Sequence, residues 1–426
     1  MKRHTARRLL AVGALTATAA LTLSACGGSG FSESEGDGGD AGSGSSEGLT
    51  SSDDELTIMI GSSGEAETAA VEAAVAAWAK ESGVGAKVVA ATNLSEELAQ
   101  GFAASTPPDL FYLSTDSIAG FADNGSIVAY GDELSNKDDF YPSLVSNFTI
   151  NDQFYCAPKD FSTLALIIND GLWAAAGLTE ADIPTTWEEL TAVAAKLTAG
   201  GKTGLAFGPE YQRIGTFLAQ AGGRLVSEDG SEAVANSPEN LEGLTYVKDR
   251  MADGSFAYSS DLGAGWGGEA FGKELAAMVI EGNWITGALS ADFPNVEFTV
   301  AELPAGPAGQ GTLQFTNCWG MAADGPNRQA ALGLVEYLTS TEQQLAFSDA
   351  FGPMPSIESA AADWEAANPE LSAFLKGSEY AIGMPTNTGA GAVVSDLNAQ
   401  LESLKSGDPK TILEGVQGNL EAVVGG

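Results

Sequence analysis

Carboxylates, amides and indoles are the groups in this chain whose types could do chemistry. The candidates are Asp116, Lys159, Asp160, Glu210, Tyr211, Gln212, Trp266, Trp284 and Trp319. Carboxylates and amides take part in several hydrogen bonds at once, and aromatic rings stack on weakly apolar C–H faces. Such a mixture suits a solute with hydroxyl edges and C–H faces, which describes a sugar. No single residue is specific, because seven tryptophans and 57 acids make coincidences common. Trp266 is singled out by its setting. It lies in the Gly-rich, weakly periodic stretch 256–271, where few neighbours can bury it, so exposure into a cleft is expected.

The chemistry that is missing narrows the field. The one histidine, His4, falls in a segment expected to be removed. A mature chain without histidine cannot run a Ser-His or Cys-His mechanism, nor present a His-rich zinc site. Catalysis by carboxylates alone, as in a glycosidase, survives that argument. There is no G-x-x-x-x-G-K-[ST] motif, so nucleotide hydrolysis would belong to another subunit. Without a Cys-x-x-Cys pair or an EF-hand loop, no metal or other cofactor is expected. The formal charge of −38 excludes nucleic acid as a partner, since a phosphate backbone needs a basic surface.

The elements that must position these residues follow in chain order. Residues 1–25 have a basic start, an apolar Ala- and Thr-rich middle and small residues before Cys26, which reads as a signal peptide. Leu23-Ser24-Ala25-Cys26 resembles a bacterial lipobox, so Cys26 is the expected lipidation site. Residues 26–54 comprise that cysteine and a Gly/Ser/acidic linker too poor in apolar side chains to fold. From Leu56 on, strand-like runs alternate with helical periodicity: Leu56–Ile60, Glu65–Glu81, Lys87–Ala91, Ser95–Ala104, Pro108–Leu113. That alternation implies a largely parallel α/β sheet with ligands at the carboxyl ends of its strands. Phe154–Asp170 reads as a strand, a polar loop over 159–163, and a second, apolar strand; such a loop is where a chain can leave one sheet and enter another.

Pro158–Asn169 (PKDFSTLALIIN), Gly171–Leu178 and Ile183–Leu190 (IPTTWEEL) together resemble the signature of the extracellular sugar-binding proteins of ABC importers, the maltose-binding type. Ile168 departs from the pattern, which has an aromatic there. Phe271–Trp284 (FGKELAAMVIEGNW) resembles the same family's F…AM…G-x-W segment, and Pro108-Asp109-Leu110 with Asp116 and Gly120 resembles its P-D…D…G segment. The resemblance implies a two-lobe periplasmic-binding-protein fold (type II-like), with a hinge of crossing segments between two α/β lobes. It implies that Asp116 hydrogen-bonds sugar hydroxyls, that Glu210 and either Tyr211 or Gln212 contact ligand, and that Trp284 is a stacking platform.

The expected organisation is lobe 1 from 55–156 with 319–355, and lobe 2 from 157–318 with 356–426. The expected function is the lipid-anchored receptor of an ABC permease at the extracellular face of the cell membrane. It would be a monomer that captures a carbohydrate, an oligosaccharide first among candidates, without being an enzyme. A secreted glycosidase using a carboxylate pair and a receptor for a non-sugar solute are the alternatives. Cys156 and Cys318 fall in the two segments that this family uses as crossings, which run side by side. A hinge disulfide and two buried free thiols are both open on the sequence.

Overall fold

The computed structural model describes residues 49–199 and 201–424. The expected signal peptide, Cys26 and the linker up to residue 48 lie outside the described residues.

Among the described residues twelve strands are formed: β1 (Leu56–Ile60), β2 (Ala86–Ala90), β3 (Leu110–Ser114), β4 (Thr149–Ile150), β5 (Gln153–Phe154), β6 (Pro158–Asn169), β7 (Thr203–Phe207), β8 (Phe256–Tyr258), β9 (Ala276–Gly282), β10 (Phe298–Ala301), β11 (Thr312–Met321) and β12 (Ala381–Ile382). One sheet runs β2-β1-β3-β11-β6-β9-β7-β8, with β10 paired to β6 and β12 to β11; β4 and β5 form a separate hairpin. β1 is parallel to β2 and β3. Parallel neighbours need crossovers, here helices Glu65–Ser82 and Leu94–Ala103. The first of these buries Glu67, Val71, Ala74, Val75 and Trp78, a stripe at helical spacing. β7 is likewise parallel to β8 and β9. Two parallel blocks are thus joined through β6 and β11, which are antiparallel to each other.

β6 is the element on which the two lobes meet. The polar stretch 159–163 is not the loop the sequence suggests but part of a continuous twelve-residue strand. Its register explains why. Pro158–Thr163 pairs with β11, from Cys318 to Gln314, and Leu164–Ile168 pairs with β9, from Gly282 to Met278. The strand changes partner without breaking, and Pro158 costs little because it is the first residue. Just before it, Cys156 is bonded to Cys318 of β11, their Cα atoms 5.6 Å apart.

Three apolar cores back this frame. The first gathers side chains from Leu56 to Ala157 and from Cys318 to Ala360. Beyond the waist, the period-2 alternation of β6 sends Leu164, Leu166 and Ile168 to a second core and Ala165 and Ile167 to a third on the opposite face. Around the expected return at residue 356 the two cores interleave: Met354 packs in the third core, Ile357 and Ala360 in the first, and Trp364 and Phe374 in the third. Among the described residues, no helix is long and apolar enough to cross a membrane.

Candidate functional site

A cleft of about 590 Å³ opens where the lobes meet. The loop after β1 gives it Ser63, and the loop after β3 gives it Asp116. The crossing strands contribute Lys159, Asp160, Ser162, Phe315 and Asn317, and the far side Gln212, Asn283, Trp284, Met384 and Asn398. These are carboxyl ends of parallel strands plus the two strands that span the waist, where the topology leaves backbone loops free to meet a solute.

Lys159 forms the floor. Its ammonium lies 3.2 Å from Glu67 Oε1 and is also paired with the Asp160 carboxylate, with only 8% of the side chain exposed. The Tyr112 hydroxyl donates to Glu67 Oε1 at 3.0 Å, and the Ser63 N–H and hydroxyl each donate to Oε2 at 2.7 Å. The ammonium also stands 4.4 Å from the Tyr112 ring centroid. Burial raises the Glu67 carboxyl, but the Lys159 charge and the Ser63 bonds outweigh it and hold it below the ordinary carboxylate range. For Lys159, burial pulls downward, and the Asp160, Tyr112 and Glu67 groups more than reverse it, so the amine stays charged. Burial wins at Asp160 and pushes its carboxyl up, against the pull of Lys159.

Trp284 forms one wall. It is 40% exposed, the large hydrophobic side chain that the described residues leave in solvent. Its indole N–H donates to Glu281 Oε2 at 3.1 Å, and Phe315 meets it edge-on with ring centroids 5.7 Å apart. The ring lies so close over β9 that a Cβ on Gly282 would fall 2.2 Å from it. An apolar face held in the open at this depth can stack on the C–H face of a sugar.

The structure brings together on this cleft Asp116, Lys159, Asp160, Gln212 and Trp284 from the sequence candidates, and leaves Glu210, Tyr211, Trp266 and Trp319 off it. Helical phase separates Tyr211 from Gln212. The helix starts at Tyr211, so Tyr211, Ile214, Phe217 and Leu218 turn into the second core while Gln212 faces the cleft. Gln212 is fixed there by Asn398, whose Nδ2 donates to its Oε1 at 3.2 Å. Glu210 caps the same helix by backbone alone. Trp319 is 1% exposed and packs edge-on to Tyr112, 4.9 Å between centroids, inside the first core. The stretch around Trp266 is not the open loop expected: helix Gly267–Gly272 follows, and the indole lies over Gly268 against the third core. Sequence reasoning missed Glu67, Asn283, Phe315, Asn317 and Asn398. Glu67 alone carried a signal, lying four residues before Val71 on the buried stripe.

Known structures share this architecture. The cyclic alpha-maltosyl-1,6-maltose binding protein of Arthrobacter globiformis superposes with a TM-score of 0.78 at 24% identity, covering 87% of this chain and 98% of that one. The GacH receptor of Streptomyces glaucescens GLA.O, studied unliganded and with acarbose, gives 0.74 at 23% identity, covering 89% and 99%. An ABC substrate-binding protein of Listeria monocytogenes in complex with cycloalternan gives 0.73 at 21%, covering 87% and 99%. At these identities the likeness establishes the fold: two α/β lobes about a hinge of crossing strands. The sequence pattern of one family spans residues 61–345, from the loop after β1 through both crossing strands to helix Thr341–Phe351, and on that match the chain belongs to the bacterial extracellular solute-binding proteins.

Proposed function

We propose that this protein is the substrate-binding component of an ABC importer for a carbohydrate, with an oligosaccharide as its ligand. The observation that carries the reading is the Trp284 indole, held open over Gly282 in a cleft that also presents carboxylates and amides beside Phe315 and Met384. Sugars need that pairing of a stacking face with groups that accept and donate hydrogen bonds. The structural neighbours that bind cyclic maltosyl-maltose and cycloalternan support an oligosaccharide. Among the described residues the cation lining the cleft, Lys159, and Arg213 behind it are each engaged by a buried carboxylate, which disfavours an anionic solute.

The ligand touches both lobes and therefore binds the closed arrangement better than the open one; closure is the form presented to the permease. No bond is made or broken. A glycosidase needs one carboxyl group free as acid and another free as base or nucleophile. Glu67 and Asp160 both spend their charge on Lys159. The anchor belongs to the same proposal: Cys26 is lipidated and residues 27–48 tether the lobes to the outer face of the membrane. Residues 49–54, expected as linker, are held on the first lobe by Leu49 against its core and Thr50 Oγ1 donating to the Gly325 carbonyl. Calorimetry of the protein beginning at Gly27 against neutral oligosaccharides tests the reading. One oligosaccharide should bind at one site per chain and be recovered intact; its cleavage by the purified protein overturns the receptor assignment.

A further inference from the structure

Behind the Trp284 ring is a charged pair that does not line the cleft. Glu281 is the residue before Gly282 at the end of β9, and its side chain is 1% exposed. Arg213, on helix Tyr211–Gln220, reaches it with Nη2 2.7 Å from Oε2. The same Oε2 accepts the Trp284 indole N–H, and the Arg213 guanidinium carbon stands 5.3 Å from the Trp284 ring centroid. One oxygen thus ties the indole edge to strand β9, and one cation ties its ring to a neighbouring helix. A buried ion pair earns little stability over apolar side chains of the same shape, because both charges must be desolvated. What this one supplies is direction: an acceptor and a cation at fixed positions beside a ring that is 40% exposed and otherwise touches Gly282 and Phe315.

We propose that Glu281 and Arg213 are positioning residues that lock the Trp284 indole as a rigid stacking surface, so that ligand affinity depends on them although they touch no ligand. This rests on the carbohydrate reading for its affinity arm but not for its structural arm. A ring already fixed in its bound rotamer loses less side-chain freedom when ligand arrives, and that saving appears as tighter binding. The pair also links the platform to Gln212, which lies beside Arg213 on the same helix, so the stacking face and a hydrogen-bonding amide share one support.

The test has two arms. In the first, the Trp284 indole N–H resonance is assigned by its loss in Trp284→Phe, and its shift and solvent exchange are followed without any sugar. Glu281→Leu should move it toward the position of a solvent-exposed indole and speed its exchange; Glu281→Gln, which keeps an acceptor, should restore most of the protection. Because Glu281→Leu leaves a guanidinium unpaired, the double variant Glu281→Leu/Arg213→Met is measured alongside it, since removing both charges preserves the fold far better than removing one. An unchanged indole resonance in the folded double variant overturns the proposal. In the second arm, the oligosaccharide selected by calorimetry is titrated into the double variant, into Trp284→Ala, and into their combination. The double variant should weaken binding about tenfold, and adding Trp284→Ala to it should cost little more than Trp284→Ala alone. Full additivity overturns the proposal. Should no sugar bind the wild-type protein, the functional reading fails by itself, and the indole arm still decides the positioning role.

Discussion

A single ammonium at the floor of the cleft holds two carboxylates, and its removal should be costly. Lys159→Met leaves the buried Glu67 and the partly buried Asp160 without a cation, and breaking a buried pair such as Lys159–Glu67 costs about 3–5 kcal/mol. Urea unfolding at neutral pH measures it. Glu67 also gives a pH dependence whose sign follows from its environment. Its folded pKa lies below its unfolded value, so its stabilisation is present above the ordinary carboxylate range, about 4.3, and is lost as pH falls through the folded value. Asp160 and Glu281, both raised, act in the opposite sense and cannot produce that loss. The stability gap between wild type and Glu67→Gln should therefore be widest at neutral pH and narrow in acid. A gap that stays constant would mean that the Glu67 carboxyl titrates alike in the folded and unfolded chain, and one that shrinks as pH rises would mean that it keeps its proton in the fold. At the opposite wall, Trp284→Ala should weaken oligosaccharide binding by about 1–3 kcal/mol, the scale of a lost ring face.

At the scale of elements, the crossing strands decide both stability and legibility. Cys156 and Cys318 close a loop with a sequence separation of 162 in the structure. In the chain-entropy model so long a loop, closed covalently, stabilises by about 5 kcal/mol, and disulfides typically deliver about 2–4 kcal/mol. Thiol titration of the denatured, unreduced protein from Gly27 should find no free thiol, and reduction should lower the denaturant midpoint; two reactive thiols would remove the bond. The apolar half of β6 was legible because a continuous run of aliphatic residues has few other homes. Its polar half was not, because a strand lining a cleft reads like a loop: Lys159, Asp160 and Ser162 are polar for what they face. Helix Tyr211–Gln220 hid its start for a different reason. No side chain caps it, so nothing in Gly208–Arg213 marks the first helical residue. Without that phase, Tyr211 in the core and Gln212 on the cleft could not be told apart. Trp284 was legible through the motif that ends β9, whereas Trp266 and Trp319 misled because an indole among glycines or in a crossing strand can turn either way. Asn283, Asn317 and Asn398 come from remote parts of the chain, and only the continuous sheet and the helices packed on it place them together.

In the whole molecule, a cleft built from both lobes couples ligand binding to the arrangement of the lobes. Asp116 enters from the loop after β3 in the lobe with the first core, Trp284 from the end of β9 in the other lobe, and Asp160 from the strand that joins them. A ligand shifts an equilibrium only by its difference in affinity for the two states, and a solute touching Asp116 and Trp284 together gains both contacts only when the lobes are closed. Saturating oligosaccharide should therefore reduce the radius of gyration in small-angle scattering. Asp116→Ala and Trp284→Ala should each weaken binding while leaving the unliganded radius unchanged, because neither side chain carries the hinge. An exposed hydrogen bond also joins distant parts of the chain, Thr388 Oγ1 donating to Asp123 Oδ2 at 3.0 Å. Bonds so exposed are worth about 0–1 kcal/mol, so Thr388→Ala should change affinity far less than Trp284→Ala does. If Thr388→Ala proved the more damaging of the two, closure would be governed by lobe-to-lobe contact, and the ligand would be a passenger in it rather than its cause.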